Sequence, residues 1–315
     1  MGSLERDLGQ IGGKVRGLVA ERLSGSVLDK ALERAILAWD QESRDKFIIW
    51  ETYLMYQFGR GHGGKTGLAR KSGLKWIKGW LDEGRTFLRA SEYAGLLLDG
   101  FNFEDARGVE KIPEGPTYYC MNHPKGLMHG NWYTFAVGYH TAKARGVEHE
   151  PRWFHAEWSN EPLIEKTSLR ILYTRGAQMM SAACNNLLFT RDRDSVMKVV
   201  GEAQNELTGG RSIAMSVEAA ESGQFHRVHR GIGRLYMAIT GAGNFPVTPV
   251  GVWRNKDDLN VRFGEPFYLR DLLGDNISAI FDKGVNQRAA DKIGLEIAKQ
   301  LPAQHRGYYG ALTGR

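Results

Sequence analysis

The alternation of short β-prone runs with helical runs, which begins near residue 112, constrains the fold of this chain most. The β-prone runs cover residues 117–121, 153–156, 212–217, 247–253 and 259–263. Helical spacing of apolar residues lies between them, most clearly over residues 195–207 and 231–240. Such alternation is typical of an α/β layered sheet. We therefore predict a mixed sheet flanked by helices.

The first third of the chain has a different pattern. Residues 27–39, 47–58 and 87–98 have apolar residues at helical spacing. Pro113-Glu114-Gly115-Pro116 then marks a boundary. The sequence predicts an N-terminal helical region over residues 1–111 and an α/β domain over residues 112–315.

The charge of the chain favours an anionic partner. Its net charge is +6 and its isoelectric point is near 9.2. No nucleic-acid motif with the required spacing occurs, so we expect no nucleic-acid partner. Residues 67–80 interleave basic residues with tryptophans, which fits either peripheral contact with a membrane or a solvated basic face.

The sequence also bears on the location of the protein. Cys120 and Cys184 form no CxxC pair, so we expect two small core residues in a reducing compartment. The first residues lack the apolar stretch of a signal peptide, and no transmembrane helix stands out. We expect a cytoplasmic protein, with membrane contact at most peripheral.

A histidine in a loop after a β-prone run is the first candidate for chemistry. Asn122-His123-Pro124-Lys125-Gly126 follows the run at residues 117–121 directly. Neutral imidazole is a suitable base near neutral pH, and a strand end faces a cleft in many α/β folds. Considered alone, a histidine in this position is more often a structural hydrogen bonder than a catalytic base.

Four blocks of sequence follow one another along the α/β part of the chain. They are Asn122-His123-Pro124, Leu188-Phe189-Thr190-Arg191 with Asp194 or Ser195 as the cap of the next helix, residues 210–223 with Glu218, and residues 245–253 followed by 261–267. In this order the blocks resemble motifs I to IV of the PlsC-like glycerolipid acyltransferases, which act on lysophosphatidic acid or glycerol 3-phosphate. The resemblance implies that His123 deprotonates an acceptor hydroxyl and that Arg191 contacts a phosphate.

The blocks depart from the family at two positions. Where the family has the aspartate of motif I, its spacing selects Met128 or His129. His129 can replace that aspartate only as a neutral acceptor, and Glu157 or Glu218 is an alternative. In motif III, Glu221 stands where the family often has a cation, which makes a phosphorylated glycerol a doubtful acceptor.

The predicted site comprises catalytic and substrate-binding residues. The catalytic residues are His123, His129 and Glu218. The substrate-binding residues are Asn122, Lys125, Arg191, Glu221, Ser222, His226, Arg227 and Arg230. The basic residues near His226 fit either the phosphates of a donor or a solvated loop. No metal is expected, because zinc-site spacings are absent.

Three functions remain open at this point. The first is transfer of an acyl group from a coenzyme A or carrier-protein thioester to a small hydroxyl or amine acceptor, without a further cofactor. The second is the same fold repurposed for elimination, cyclisation or hydrolysis in secondary metabolism. The third is a non-catalytic subunit that binds an acyl chain or a carrier protein and works with a partner subunit.

Overall fold

The structure is a computed structural model with a sheet flanked by helices. It describes residues 17–40, 42–43, 102–103, 106–123, 129–157, 162–190, 192–218, 224–240, 244–255, 258–272 and 282–313. The strands are β1 (Asn102–Phe103), β2 (Tyr118–Met121), β3 (Arg152–Ala156), β4 (Leu187–Phe189), β5 (Ile213–Ser216), β6 (Val247–Asn255) and β7 (Asp258–Phe263). The helices are α1 (Val27–Ala38), α2 (His129–Arg145), α3 (Pro162–Glu165), α4 (Leu169–Ala183), α5 (Arg193–Thr208), α6 (Arg230–Ile239) and α7 (Lys283–Gln300).

The strands form one mixed sheet in the order β1-β7-β6-β2-β5-β3-β4. All neighbouring strands are parallel except β6 and β7, which pair antiparallel from Val250–Phe263 to Asn255–Asp258. This architecture confirms the predicted α/β class and all five predicted strands. The strands β1 and β4 were not predicted. The predicted helical runs at residues 47–58 and 87–98 and the basic segment 67–80 lie outside the described residues.

Strand β2 lies at the centre of the sheet and is buried on both faces. Tyr118 and Cys120 face one apolar core, which includes residues of α6 and α7. Tyr119 and Met121 face the other core, which includes residues of α2. Because helices cover both faces of the sheet at β2, this strand is a continuous run of apolar residues, as is usual for buried parallel strands. The prediction that Cys120 is a core residue is confirmed.

The N-cap of helix α5 lies two residues before Asp194, the first of the two predicted caps. Asp192 is the N-cap residue, and its carboxylate accepts a hydrogen bond from the backbone N–H of Ser195 at 2.8 Å. The prediction of Asp194 or Ser195 as the cap was therefore wrong, because Ser195 supplies the capped N–H group instead.

The N-terminal residues contact the sheet domain at two places. Arg107 exchanges backbone hydrogen bonds with β7 through Val261 and Phe263, at 3.0 and 2.9 Å. Asp29 of α1 accepts a hydrogen bond from the backbone N–H of Ser168 at 2.8 Å. The division at residue 111 stays a prediction, although part of the N-terminal side pairs with the sheet. None of the described helices has the length and apolar character needed to cross a bilayer.

Helices α6 and α7 cross closely at Gly233. A methyl group at Gly233 would overlap the carbonyl oxygen of Asn286 and the backbone nitrogen of Ala290. We expect Gly233→Ala to lower the free energy of unfolding by about 1–3 kcal/mol, because the helices must separate. Urea unfolding followed by circular dichroism measures this change.

Gly201 of α5 is a matched control for that substitution. A methyl group there has no atom within 4 Å among those described. Because alanine has a higher helix propensity than glycine, Gly201→Ala should raise the free energy of unfolding by up to about 1 kcal/mol. Equal effects of the two substitutions would contradict the close crossing of α6 and α7.

Candidate active site

The candidate site lies where the parallel strands β2 and β5 end. Met121, the last residue of β2, pairs in register with Ser216, the last residue of β5. His123 and Glu218 each follow two residues later. Ligands of open parallel sheets bind at the carboxyl ends of the strands. The fold therefore brings together two of the three predicted catalytic residues at such an edge.

The carboxylate of Glu218 joins two loops by hydrogen bonds. Its Oε2 accepts the backbone N–H of His123 at 2.9 Å. Its Oε1 accepts the backbone N–H of His226 at 2.9 Å. An ionised carboxylate suits this arrangement, because it only accepts hydrogen bonds. Glu218 thus fixes the backbone of the predicted catalytic histidine.

Asn122 fixes the same loop to β6. Its side-chain amide donates to the carbonyl oxygen of Val252 and accepts the N–H of Val252, both at 2.8 Å. The residue is 7% exposed. Both polar atoms are thus engaged within the protein. The predicted contact of Asn122 with substrate stays a prediction, and these two bonds give it a structural role.

The basic loop, residues 225–229, precedes α6. Arg227 forms a two-pronged ion pair with Asp291 of α7, at 3.0 and 2.6 Å. His229 caps α6 by accepting the N–H of Gly231 at 3.1 Å. Both side chains therefore have structural partners. His226 and Arg230 are exposed, as predicted residues for donor phosphates need to be.

Several predicted residues cannot be placed at the site. Lys125, Arg191, Glu221 and Ser222 lie outside the described residues. His129 is the first residue of α2, and its predicted catalytic role stays a prediction. Among the residues that the structure describes, no three His, Cys, Asp or Glu side chains cluster as metal ligands would.

His155 is a half-buried ionisable residue near the same edge of the sheet, and it was not predicted from the sequence. It lies on β3, one residue before the strand ends, and pairs in register with Leu188. Burial lowers the pKa of His155 from 6.5 to about 4. Its place in a β-prone run, where a charged side chain is unfavourable, was the only signal in the sequence.

The lowered pKa of His155 predicts a loss of stability in acid. Between pH 6.5 and pH 4 the unfolded chain binds a proton at this histidine while the folded chain does not. Stability is therefore fully present above the unfolded pKa and falls as the pH is lowered. At pH 5 the loss due to His155 amounts to about 2 kcal/mol.

Urea unfolding at pH 7.5 and pH 5 measures this loss. Between the two pH values, we expect the free energy of unfolding of His155→Gln to fall by about 2 kcal/mol less than that of the native protein. Identical pH dependence of the native protein and His155→Gln would rule out a neutral imidazole at His155 in the folded protein.

Comparison with solved structures gives distant likenesses, one of which is to an acyltransferase. No protein-family model and no curated protein sequence matches this chain. The crystal structure of PlsC, the 1-acyl-sn-glycerophosphate (LPA) acyltransferase from Thermotoga maritima, is 16% identical to it. The match covers 89% of this chain and 97% of that chain, with a TM-score of 0.35.

Proposed function

We propose that this protein is an acyltransferase that moves an acyl group from a coenzyme A or carrier-protein thioester to a small hydroxyl or amine acceptor. The observation that carries the proposal is the hydrogen bond from the backbone of His123 to Glu218 at the carboxyl ends of β2 and β5. It supports the proposal because His123, the proposed base, and the Glu218 carboxylate both lie at the edge of the sheet where substrates of α/β enzymes bind.

The chemistry of the pair suits acyl transfer. His123 removes the proton of the acceptor as the acceptor attacks the thioester carbonyl, and a thiol leaves. A negative charge near the resulting imidazolium stabilises it, as the aspartate does in other histidine-based sites. In the proposal Glu218 supplies that charge, since its Oε2 lies 2.9 Å from the backbone nitrogen of the same residue, His123. In this proposal Glu218 has the role of the motif I aspartate, whose position is occupied by Met128 or His129.

The donor contacts in the proposal come from the exposed basic residues. His226 lies in the basic loop and donates its backbone N–H to Glu218, and Arg230 is the first residue of α6. Phosphates of coenzyme A or of a carrier arm suit such residues. Arg227 is given a structural role in the proposal instead, because its guanidinium group forms an ion pair with Asp291. Lys125 and Arg191 remain proposed donor contacts from the sequence alone.

The acceptor in the proposal carries no phosphate. Glu221 places a negative charge in the segment after Glu218, where the resembling family often has a cation. Like charges repel, so a phosphorylated glycerol is a poor acceptor next to Glu221. A neutral alcohol or an amine avoids that repulsion.

The experiment that tests the proposal follows free thiol and product mass. The purified protein is incubated with acyl-coenzyme A or acyl-carrier protein and a panel of acceptors: simple alcohols, amines, glycerol 3-phosphate and lysophosphatidate. We expect thiol release that depends on an alcohol or amine, with an acylated product of matching mass. Preference for a phosphorylated acceptor would refute the role of Glu221, and no release with any donor would refute acyl transfer.

A further inference from the structure

The C-terminal segment, residues 303–313, packs against the basic loop beside the candidate site. Tyr309 is fully buried, and its ring lies 5.4 Å from that of Phe225. A methyl group on Gly294 of α7 would overlap the Tyr309 ring, so the ring sits directly on that helix. Close packing of this kind fixes the position of the Tyr309 hydroxyl group.

The hydroxyl group of Tyr309 connects the basic loop to α7. It accepts the backbone N–H of Val228 at 3.0 Å and donates to Asp291 Oδ1 at 3.2 Å. The same Asp291 carboxylate holds Arg227 at 2.6 Å. Gln287 of α7 donates to the carbonyl oxygen of Val228 at 3.2 Å. Both backbone polar groups of Val228 are thus fixed by side chains.

The backbone of Phe225 is fixed from the C-terminal segment as well. Its carbonyl oxygen accepts the N–H of Tyr308 at 2.8 Å, and its N–H donates to the carbonyl oxygen of His305 at 3.4 Å. His226 lies between these anchored residues and donates its N–H to Glu218. The contacts therefore run without a break from the C-terminal segment to Glu218 and on to His123.

We infer that Tyr309, together with Asp291, is a positioning residue for His123 and Glu218. The inference deepens the proposed function and rests on it for the catalytic consequence. Tyr309 touches no reacting group in this scheme. Tyr309 holds the basic loop so that the N–H of His226 donates to Glu218 Oε1. The Glu218 carboxylate is thereby oriented so that its Oε2 accepts the backbone N–H of His123.

Backbone amide exchange tests the inference independently of activity. Tyr309→Phe removes the hydroxyl oxygen and keeps the ring that packs on Gly294. We expect the amides of Val228, His226 and His123 to exchange about tenfold faster in this variant, since each loses part of its hydrogen-bonded support. Tyr308→Phe is the matched control, because Tyr308 is the neighbouring residue and is 51% exposed. Amide exchange in this variant should equal that of the native protein.

Steady-state kinetics in the thiol-release assay gives the second measurement. We expect Tyr309→Phe to lower kcat about tenfold with the donor KM within about twofold, since the loss lies in positioning and not in binding. A purely structural role would instead lower the melting temperature and leave kcat per folded molecule unchanged. Tyr308→Phe should match the native protein in both constants.

The outcomes separate this inference from the proposed function. Native exchange rates at His226 and His123 in Tyr309→Phe would overturn the positioning role, whatever the activity. Faster exchange in that variant, with no thiol release by the native protein, would keep the positioning role and refute acyl transfer. If Tyr309→Phe does not fold, Asp291→Asn is measured in its place, and the same amides must exchange faster for the inference to stand.

Discussion

Replacement of His123 by alanine is expected to lower acceptor-dependent thiol release by about 10²–10⁴-fold, the range that a general base contributes. His123 lies two residues after the end of the central strand β2. Its backbone N–H donates to Glu218 Oε2 at 2.9 Å. Because alanine keeps that backbone N–H, the substitution removes the imidazole and leaves the Glu218 contact in place. The loss should therefore appear in kcat, with the fold intact.

The thiol-release assay with acyl-coenzyme A and the preferred acceptor measures this loss. Circular dichroism and urea unfolding should show that His123→Ala folds as the native protein does. His149→Ala, in the turn after α2, is the control and should retain full activity. Full activity of His123→Ala would exclude its role as the base.

Replacement of Glu218 by glutamine is expected to lower both activity and stability. A glutamine side chain has one acceptor oxygen, so its NH₂ group would face the N–H of either His123 or His226. One of the two hydrogen bonds at 2.9 Å is then lost. We expect the free energy of unfolding to fall by about 1–3 kcal/mol, the cost of a donor left without its acceptor.

The activity of Glu218→Gln should fall by about 10²-fold, since the countercharge for the imidazolium disappears and the loop of His123 loosens. Glu148→Gln is a suitable control because that carboxylate is 70% exposed. The same assay and urea titration measure both effects. Native stability of Glu218→Gln would show that the carboxylate does not join the two loops, and native activity would show that its charge is not needed.

The sequence predicts the centre of this fold better than its periphery. Strands β2, β5 and β6 were found because buried parallel strands are continuous apolar runs between turn residues. Helix α7 was not predicted, because its buried face consists largely of small residues such as Ala289, Ala290 and Gly294, which give a weak hydrophobic periodicity. Strand β4 was missed because it has only three residues.

The candidate site was predicted in part for a similar reason. His123 and Glu218 could be proposed from their positions after β-prone runs and from the resemblance of the blocks around them. The hydrogen bonds that hold this loop could not be predicted, because they join residues far apart in the chain, such as Asn122 and Val252, which are 130 residues apart. Arg227 was predicted to bind a phosphate because no sequence pattern reveals that Asp291 of α7 lies beside it.

The central position of β2 has a consequence for how the protein folds during synthesis. Both neighbours of β2 come much later in the chain: Thr117 contacts Ser212 over 95 residues and Thr248 over 131 residues. At a synthesis rate of about 5–20 residues per second, the strand that carries His123 waits roughly 5–20 s for its first partner. During that time Tyr118–Met121 presents two unpaired backbone edges and two apolar faces, which are prone to aggregate. The nascent chain therefore has to be shielded, by its own collapse or by a chaperone, until β5 emerges.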